Sequence, residues 1–178
     1  MKIVTDDDVA ASTIGGQGVF ANAPIARGDI IHQMGGERIN LATCIARIAT
    51  LQLRIDDPLP IGRFTYIVLD AFSNRFNHSC APNALLRMQA ELFAIRDIAA
   101  GEEITFDYST TLRRMFYSRF WRMPCNCGAP GCRHFVSDVK TIPRDQLRRY
   151  IQVGGLQDFI RAELAEDVRM AEALTQPS

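Results

Sequence analysis

Three short stretches of this 178-residue chain carry side chains suited to chemistry rather than packing. The first is Arg75-Phe76-Asn77-His78-Ser79-Cys80-Ala81-Pro82-Asn83. It sets two hydrogen-bonding side chains, Asn77 and His78, beside the Cys80 thiol, and Pro82 then stops extended structure. Polar groups this dense, just after the apolar run Tyr66-Ile67-Val68-Leu69, are costly in a core unless something uses them. The second stretch, Gly101-Glu102-Glu103-Ile104-Thr105-Phe106-Asp107-Tyr108, and the third, Cys125-Asn126-Cys127-Gly128-Ala129-Pro130-Gly131-Cys132, supply it with partners.

The third stretch has the clearest chemistry. Cys125, Cys127 and Cys132 follow the spacing C-x-C-x4-C, and Gly128, Pro130 and Gly131 supply tight turns. Three thiolates this close point to one structural zinc ion, which takes four nitrogen or sulfur ligands in a tetrahedron. The fourth ligand must come from elsewhere. Cys80 is the first candidate, His134 the local competitor, and Cys44 a distant third. With Cys80 as ligand, the metal pins the cysteine segment onto the 75–83 stretch, so that order in the segment depends on the metal.

These groups need elements to position them. Ile14-Gly15-Gly16-Gln17-Gly18-Val19-Phe20-Ala21 reads as a glycine-rich turn entering a strand, whose backbone can come close to a ligand. It is no dinucleotide site, because no third glycine and helix follow at the right spacing. Pro24 to Ile31 reads as a turn at Arg27-Gly28-Asp29 and then a strand, which Gly35-Gly36 closes. From Asn40 to about Leu53, Leu41, Ile45, Ile48 and Leu51 recur at helical spacing with Asn40 as N-cap. Cys44 in that helix is expected to be a buried structural thiol. Asp56-Asp57-Pro58-Leu59-Pro60 ends the helix, and Arg63–Leu69 reads as a buried strand. Two more strands, Ala84–Met88 and Glu91–Ile95, follow the signature stretch. Thr111 to Met123 holds Phe116, Tyr117, Phe120 and Trp121 among basic residues and reads as a helix docking on the core. Pro143–Gln152 and Gly155–Ala173 look helical, the second with Leu156, Phe159, Ile160 and Leu164 on one face. The fold class is mainly β, with many short strands and a helical C-terminal tail.

Composition bounds the function classes. With 47% hydrophobic and 22% charged residues, the chain reads as a globular protein of one domain plus a small appendage. Twenty basic and twenty acidic side chains cancel, so no global field argues for direct nucleic-acid or membrane binding. Three of five cysteines packed together, after an acidic Asp6-Asp7-Asp8 start, suit metal thiolates in a reducing compartment. The expected location is intracellular, cytoplasmic rather than nuclear, since no clustered basic address is present.

With these residues in place, the chain resembles the SET-domain protein-lysine methyltransferases with a post-SET zinc segment. The likeness runs from about Gly15 to Cys132, with the 77–80, 101–108 and 125–132 motifs in the family's order. It implies a SET-domain (β-clip) fold of small curved sheets around a pseudoknot, made where the segment after Asn77-His78 threads beneath a loop near Tyr108. It divides the chain into a SET domain over 1–110, a post-SET zinc segment over 111–135 and a helical extension over 136–178. S-adenosylmethionine is then expected on the backbone of Gly16, Gln17 and Gly18, with Arg75, Phe76, Asn77, His78, Tyr108 and Trp121 about it. The partner is a protein substrate on the opposite face, its lysine reaching the methyl group through a channel walled by Met34, Tyr66 and Phe106. Tyr108 matches the catalytic tyrosine, and Phe106 the position where phenylalanine leaves room for more than one methyl. The metal set is Cys80, Cys125, Cys127 and Cys132.

The chain departs from the family pattern in places. Met34 precedes Gly36 where a tyrosine is usual, Phe76 and Asn77 are adjacent where one residue usually intervenes, and Arg133-His134 replaces Arg-Gly. Met34 favours an alternative reading, a non-catalytic SET module that binds protein partners; a small-molecule amine is a third candidate substrate. The helical tail is expected to shape a substrate groove or a homodimer contact.

Overall fold

The computed structural model describes residues 4–112 and 122–175. The aromatic helix expected between Thr111 and Met123, including Phe120 and Trp121, falls almost wholly outside them. A pair of antiparallel strands opens the fold, β1 (Val9–Ala11) and β2 (Gln17–Val19). Next come β3 (Ile30–Gln33) and β4 (Gly36–Asn40), then helix α1 (Leu41–Ala49). Asn40 caps α1 by accepting from the Thr43 N–H at 2.9 Å. The helix stops sooner than its apolar spacing suggests. Leu51 takes a left-handed φ of 58° and stands 91% exposed, so it closes the turn instead of joining the apolar face.

Two strands that the sequence pattern hides complete this region. β4 buries only Ile39, so it shows no apolar alternation. β5 (Pro58–Pro60) carries two prolines that suggest a break, yet it is the edge of the antiparallel sheet β4-β6-β5, where a missing N–H is tolerated. β6 (Thr65–Leu69) is its middle strand. Ile39, Cys44 and Tyr66 form a small core beneath α1, with Cys44 buried as expected.

The main sheet adds β7 (Asn77–His78), β8 (Ala84–Arg87), β9 (Glu91–Ala94) and β10 (Thr105–Phe106), in the order β3-β9-β8-β10-β7. β10 slots between β7 and β8 and runs parallel to both, so the 79–83 connection passes from one side of β10 to the other. That crossing brings the 77–80 and 105–108 motifs into one layer.

β8 and β9 are buried on both faces. Ala84, Leu86, Leu92 and Ala94 enter the central core with Ile31, Met34, Phe76, Ile104 and Phe106. Leu85 and Phe93 point the other way, into a second core with Tyr150, Leu156 and Ile160. This second core is built by α2 (Arg144–Gln152) and α3 (Asp158–Thr175). Gly155 approaches so closely that a Cβ there would overlap the Leu85 side chain. The C-terminal helices are thus part of the domain's packing. Between them and the sheet motifs, β11 (Met123–Pro124) pairs with β12 (Phe135–Val136) and closes the cysteine loop. Among the described residues no helix is long and apolar enough to cross a membrane.

Candidate functional site

Register places the site residues. Thr105 pairs with Asn77 and Phe106 with His78, so Tyr108 emerges beside His78. Asn83, 2% exposed, locks this pairing: its Oδ1 accepts from the Thr105 N–H at 2.9 Å and its Nδ2 donates to the Glu103 carbonyl at 2.8 Å. Asp107 caps the single 3-10 turn Tyr108–Thr110 by accepting from the Ser109 N–H.

Tyr108 is the central group. Its hydroxyl donates to the Phe76 carbonyl at 2.6 Å, and its ring lies 4.7 Å from Phe106 and 5.4 Å from His78 between centroids. Burial, reinforced by the Glu103 carboxylate, holds the phenol well above its ordinary range, so it remains protonated. Burial also pushes the His78 imidazole down to about 4, against the pull of Asp107. Neutral His78 uses Nδ1 to accept from the Tyr108 N–H at 3.1 Å, which leaves the ring proton on Nε2, 3.3 Å from Cys80 Sγ.

Asn77 turns toward the glycine loop. Its Nδ2 donates to the Gln17 carbonyl at 2.9 Å, the Gly15 carbonyl at 3.3 Å and Glu103 Oε1 at 2.7 Å. Glu103 Oε2 accepts from the Ser12 hydroxyl at 2.8 Å. Gly18 lies beneath this carboxylate, and a side chain there would meet it. The loop outside it is open, since a Cβ on Gly15 or Gly16 would touch nothing within 4 Å. Arg75 is half-buried, with its Nε donating to the Ala71 carbonyl.

A cavity of about 360 Å³ reaches Tyr108, lined by Tyr66, Phe76, Phe106, Tyr108 and the α1 residues Ile45 and Ile48. Of the three residues expected at the channel, Tyr66 and Phe106 line this cavity. Met34 is 3% exposed in the central core and is not in the lining.

The four cysteines converge. Sγ atoms of Cys80, Cys125, Cys127 and Cys132 all lie within 4.8 Å of one another. Cys125 Sγ is 3.8 Å from Cys80 and 3.6 Å from Cys132. Tetrahedral zinc with Zn–S near 2.3 Å requires sulfurs roughly 3.8 Å apart, so the donor set has the right size. Backbone N–H groups of Cys80, Arg133 and His134 point at Cys127, Cys80 and Cys132 sulfurs at 3.3–3.5 Å. Burial raises the Cys80 thiol to about 11; at Cys127 burial is outweighed by hydrogen bonds from Cys80 and Ala129, bringing it to about 7. His134 is exposed, and Cys44 sits on α1 packed against Ile39 and Tyr66, so neither belongs to this cluster.

Sequence reasoning assigned no role to Arg133, which joins the cluster to the tyrosine turn. Its guanidinium, 8% exposed, grips the fully buried Asp107 carboxylate at 2.8 and 2.6 Å. Its adjacency to Cys132 and the isolated Asp107 before Tyr108 were the available signals. Asn83 and Glu103 lay inside motifs already noted, but their partners are long-range.

Comparison with known proteins agrees with this geometry. The SET domain family model matches residues 16–109, more than half of the chain. The chain belongs to the SET-domain family. It is 33% identical over 146 residues to histone-lysine N-methyltransferase TRX1 of Oryza sativa subsp. japonica, covering 72% of this chain and 13% of that protein. A histone-lysine N-methyltransferase of Saccharomyces cerevisiae, H3 lysine-4 specific, is 31% identical over 144 residues, with the same two coverages of 72% and 13%. The chain therefore spans about an eighth of these relatives. Among solved structures, the methyltransferase domain of human SETMAR aligns with a TM-score of 0.57 at 25% identity, covering 73% of this chain and 57% of that one.

Proposed function

We propose that this chain transfers methyl groups from S-adenosylmethionine to the side-chain amine of lysine in a protein substrate. The observation that carries the reading is the Tyr108 phenol, held by the Phe76 carbonyl where the cavity meets the Asn77-His78 strand. Its proton is committed to Phe76, so its oxygen is free to accept an N–H from an amine. Free lysine has a pKa of about 10.4, so a dry, apolar channel is needed to favour the neutral amine. Tyr66 and Phe106 supply apolar walls, and Phe106 offers no hydroxyl to hold the amine against a second transfer. Product beyond monomethyl-lysine follows from that.

The residues present suit the methyl donor. Asn77 and the exposed backbone of Gly16 and Gln17 offer hydrogen bonds, with Gly18 set beneath the Glu103 carboxylate, which is opposite in sign to an ammonium and a sulfonium. Arg75, Phe76, His78 and Tyr108 complete the set, with Trp121 outside the described residues. When bound, S-adenosylmethionine supplies an electrophilic methyl on sulfur. The protein's contribution is orientation and exclusion of water, through Asn77 on one side and Tyr108 on the other.

One zinc ion on Cys80, Cys125, Cys127 and Cys132 would hold the 122–136 segment against His78 without entering the reaction. A reducing, intracellular setting keeps those thiols available. The apolar faces of α2 and α3 pack on the sheet within the chain, so the homodimer expected there would use their outer, charged faces; sedimentation equilibrium tests it. The donor site is tested by titrating the zinc-loaded protein with S-adenosylmethionine. Micromolar binding lost in Asn77→Ala is expected; no binding by the wild type contradicts the proposal.

A further inference from the structure

Helix α2 lies outside residues 16–109, yet it reaches two of the motifs that carry the chemistry. Gln146 and Tyr150 stand one turn apart on the same face. Gln146 Nε2 donates to the Cys80 carbonyl at 2.6 Å and to the Tyr150 hydroxyl. The amide has two protons, and both are committed. The Tyr150 hydroxyl accepts one and directs its own proton to Asp107 Oδ2 at 3.4 Å. Tyr150 is 4% exposed, and no part of the Asp107 side chain is exposed. One helix face thus touches the backbone of a cysteine-cluster member and the carboxylate that caps the turn bearing Tyr108.

We infer that Gln146 and Tyr150 are positioning residues for the methyl-transfer centre. They hold Asp107 and the Cys80 carbonyl in register, so the orientation of Tyr108 depends on the docking of α2. The inference rests on the methyl-transfer reading of Tyr108. Packing alone does not account for the pair: the Tyr150 ring sits in the second core whether or not it carries a hydroxyl, and an amide gains nothing from apolar contact.

The experiment compares wild type, Tyr150→Phe and Gln146→Leu as full, zinc-loaded chains. Turnover is followed with labelled S-adenosylmethionine on recombinant histone H3 or, failing that, on proteins of a cell extract, and amide hydrogen exchange is followed across 105–110. The Ser109 amide reports the Asp107 cap and the Tyr108 amide reports its bond to His78. Both variants are expected to lower kcat about tenfold with KM within twofold. Exchange at Tyr108 and Ser109 should quicken by a similar factor while β8 and β9 stay protected. Unchanged kcat and unchanged exchange at 108–109 would overturn the inference. A uniform loss of protection through β8, β9 and α2 would also overturn it, leaving a packing role. A wild-type chain that methylates neither target counts against the activity, and exchange at 108–109 then decides the inference by itself.

Discussion

The β7-β10 strand pair, with the Tyr108 turn that follows it, and the cysteine segment meet at Cys80, but different forces hold them. The first is anchored from behind by a continuous apolar core: Phe76, Ile104 and Phe106 are each under 5% exposed, and β10 is paired on both sides. The second offers Met123, Phe135 and Val136 on a two-residue strand pair, and its cysteines are only partly covered. What fixes it is polar: four sulfurs and the Arg133–Asp107 pair. The site is therefore assembled from one half that folds by burial and one half held by the Arg133–Asp107 pair and, with the proposed zinc bound, by the metal.

The largest effect should come from the link between the halves. Arg133→Met leaves the Asp107 carboxylate buried without its cation, which typically costs about 3–5 kcal/mol. Denaturant unfolding is expected to show a loss of that size, and a loss below about 1 kcal/mol would mean that the halves are not coupled through this pair. Removing zinc with a chelator comes next. Amide protection in 122–136 should vanish while β8 and β9 keep theirs, because their contacts are apolar. Simultaneous loss in both regions would erase the distinction. The smallest effect on stability, and the sharpest on chemistry, is expected of Phe106→Tyr. A hydroxyl beside Tyr108 should shift the product toward monomethyl-lysine, read by mass spectrometry; an unchanged product distribution would remove Phe106 from the channel argument.

The two halves also differ in what the sequence reveals. The Asn77-His78 and Asp107-Tyr108 motifs and the C-x-C-x4-C spacing are local and could be read directly, as could the Asn40-capped helix. The join between the halves is not local. Arg133 is 26 residues from Asp107, and Gln146 is 66 residues from Cys80. Neither residue type signals its partner. β4 and β5 were hidden for another reason: one buries a single side chain, and the other is a proline-bearing edge whose strand character depends on β6. Met34 shows the reverse error. The resemblance set it two residues before Gly36, where the family carries a channel tyrosine, whereas its side chain sits in the central core.

The Tyr108 hydroxyl is the group that orients the reacting amine, while the affinity for the methyl donor rests mainly on the rest of its site. Tyr108→Phe keeps the ring against Phe106 and His78 and removes only the hydroxyl. The measurement is methyl transfer to protein alongside S-adenosylmethionine titration for this one variant. Donor affinity is expected to stay within a few-fold of wild type while turnover falls about a hundredfold. Turnover that survives the loss of the hydroxyl would contradict that role, and a wild type that binds the donor and transfers nothing would favour a SET module that only binds protein partners.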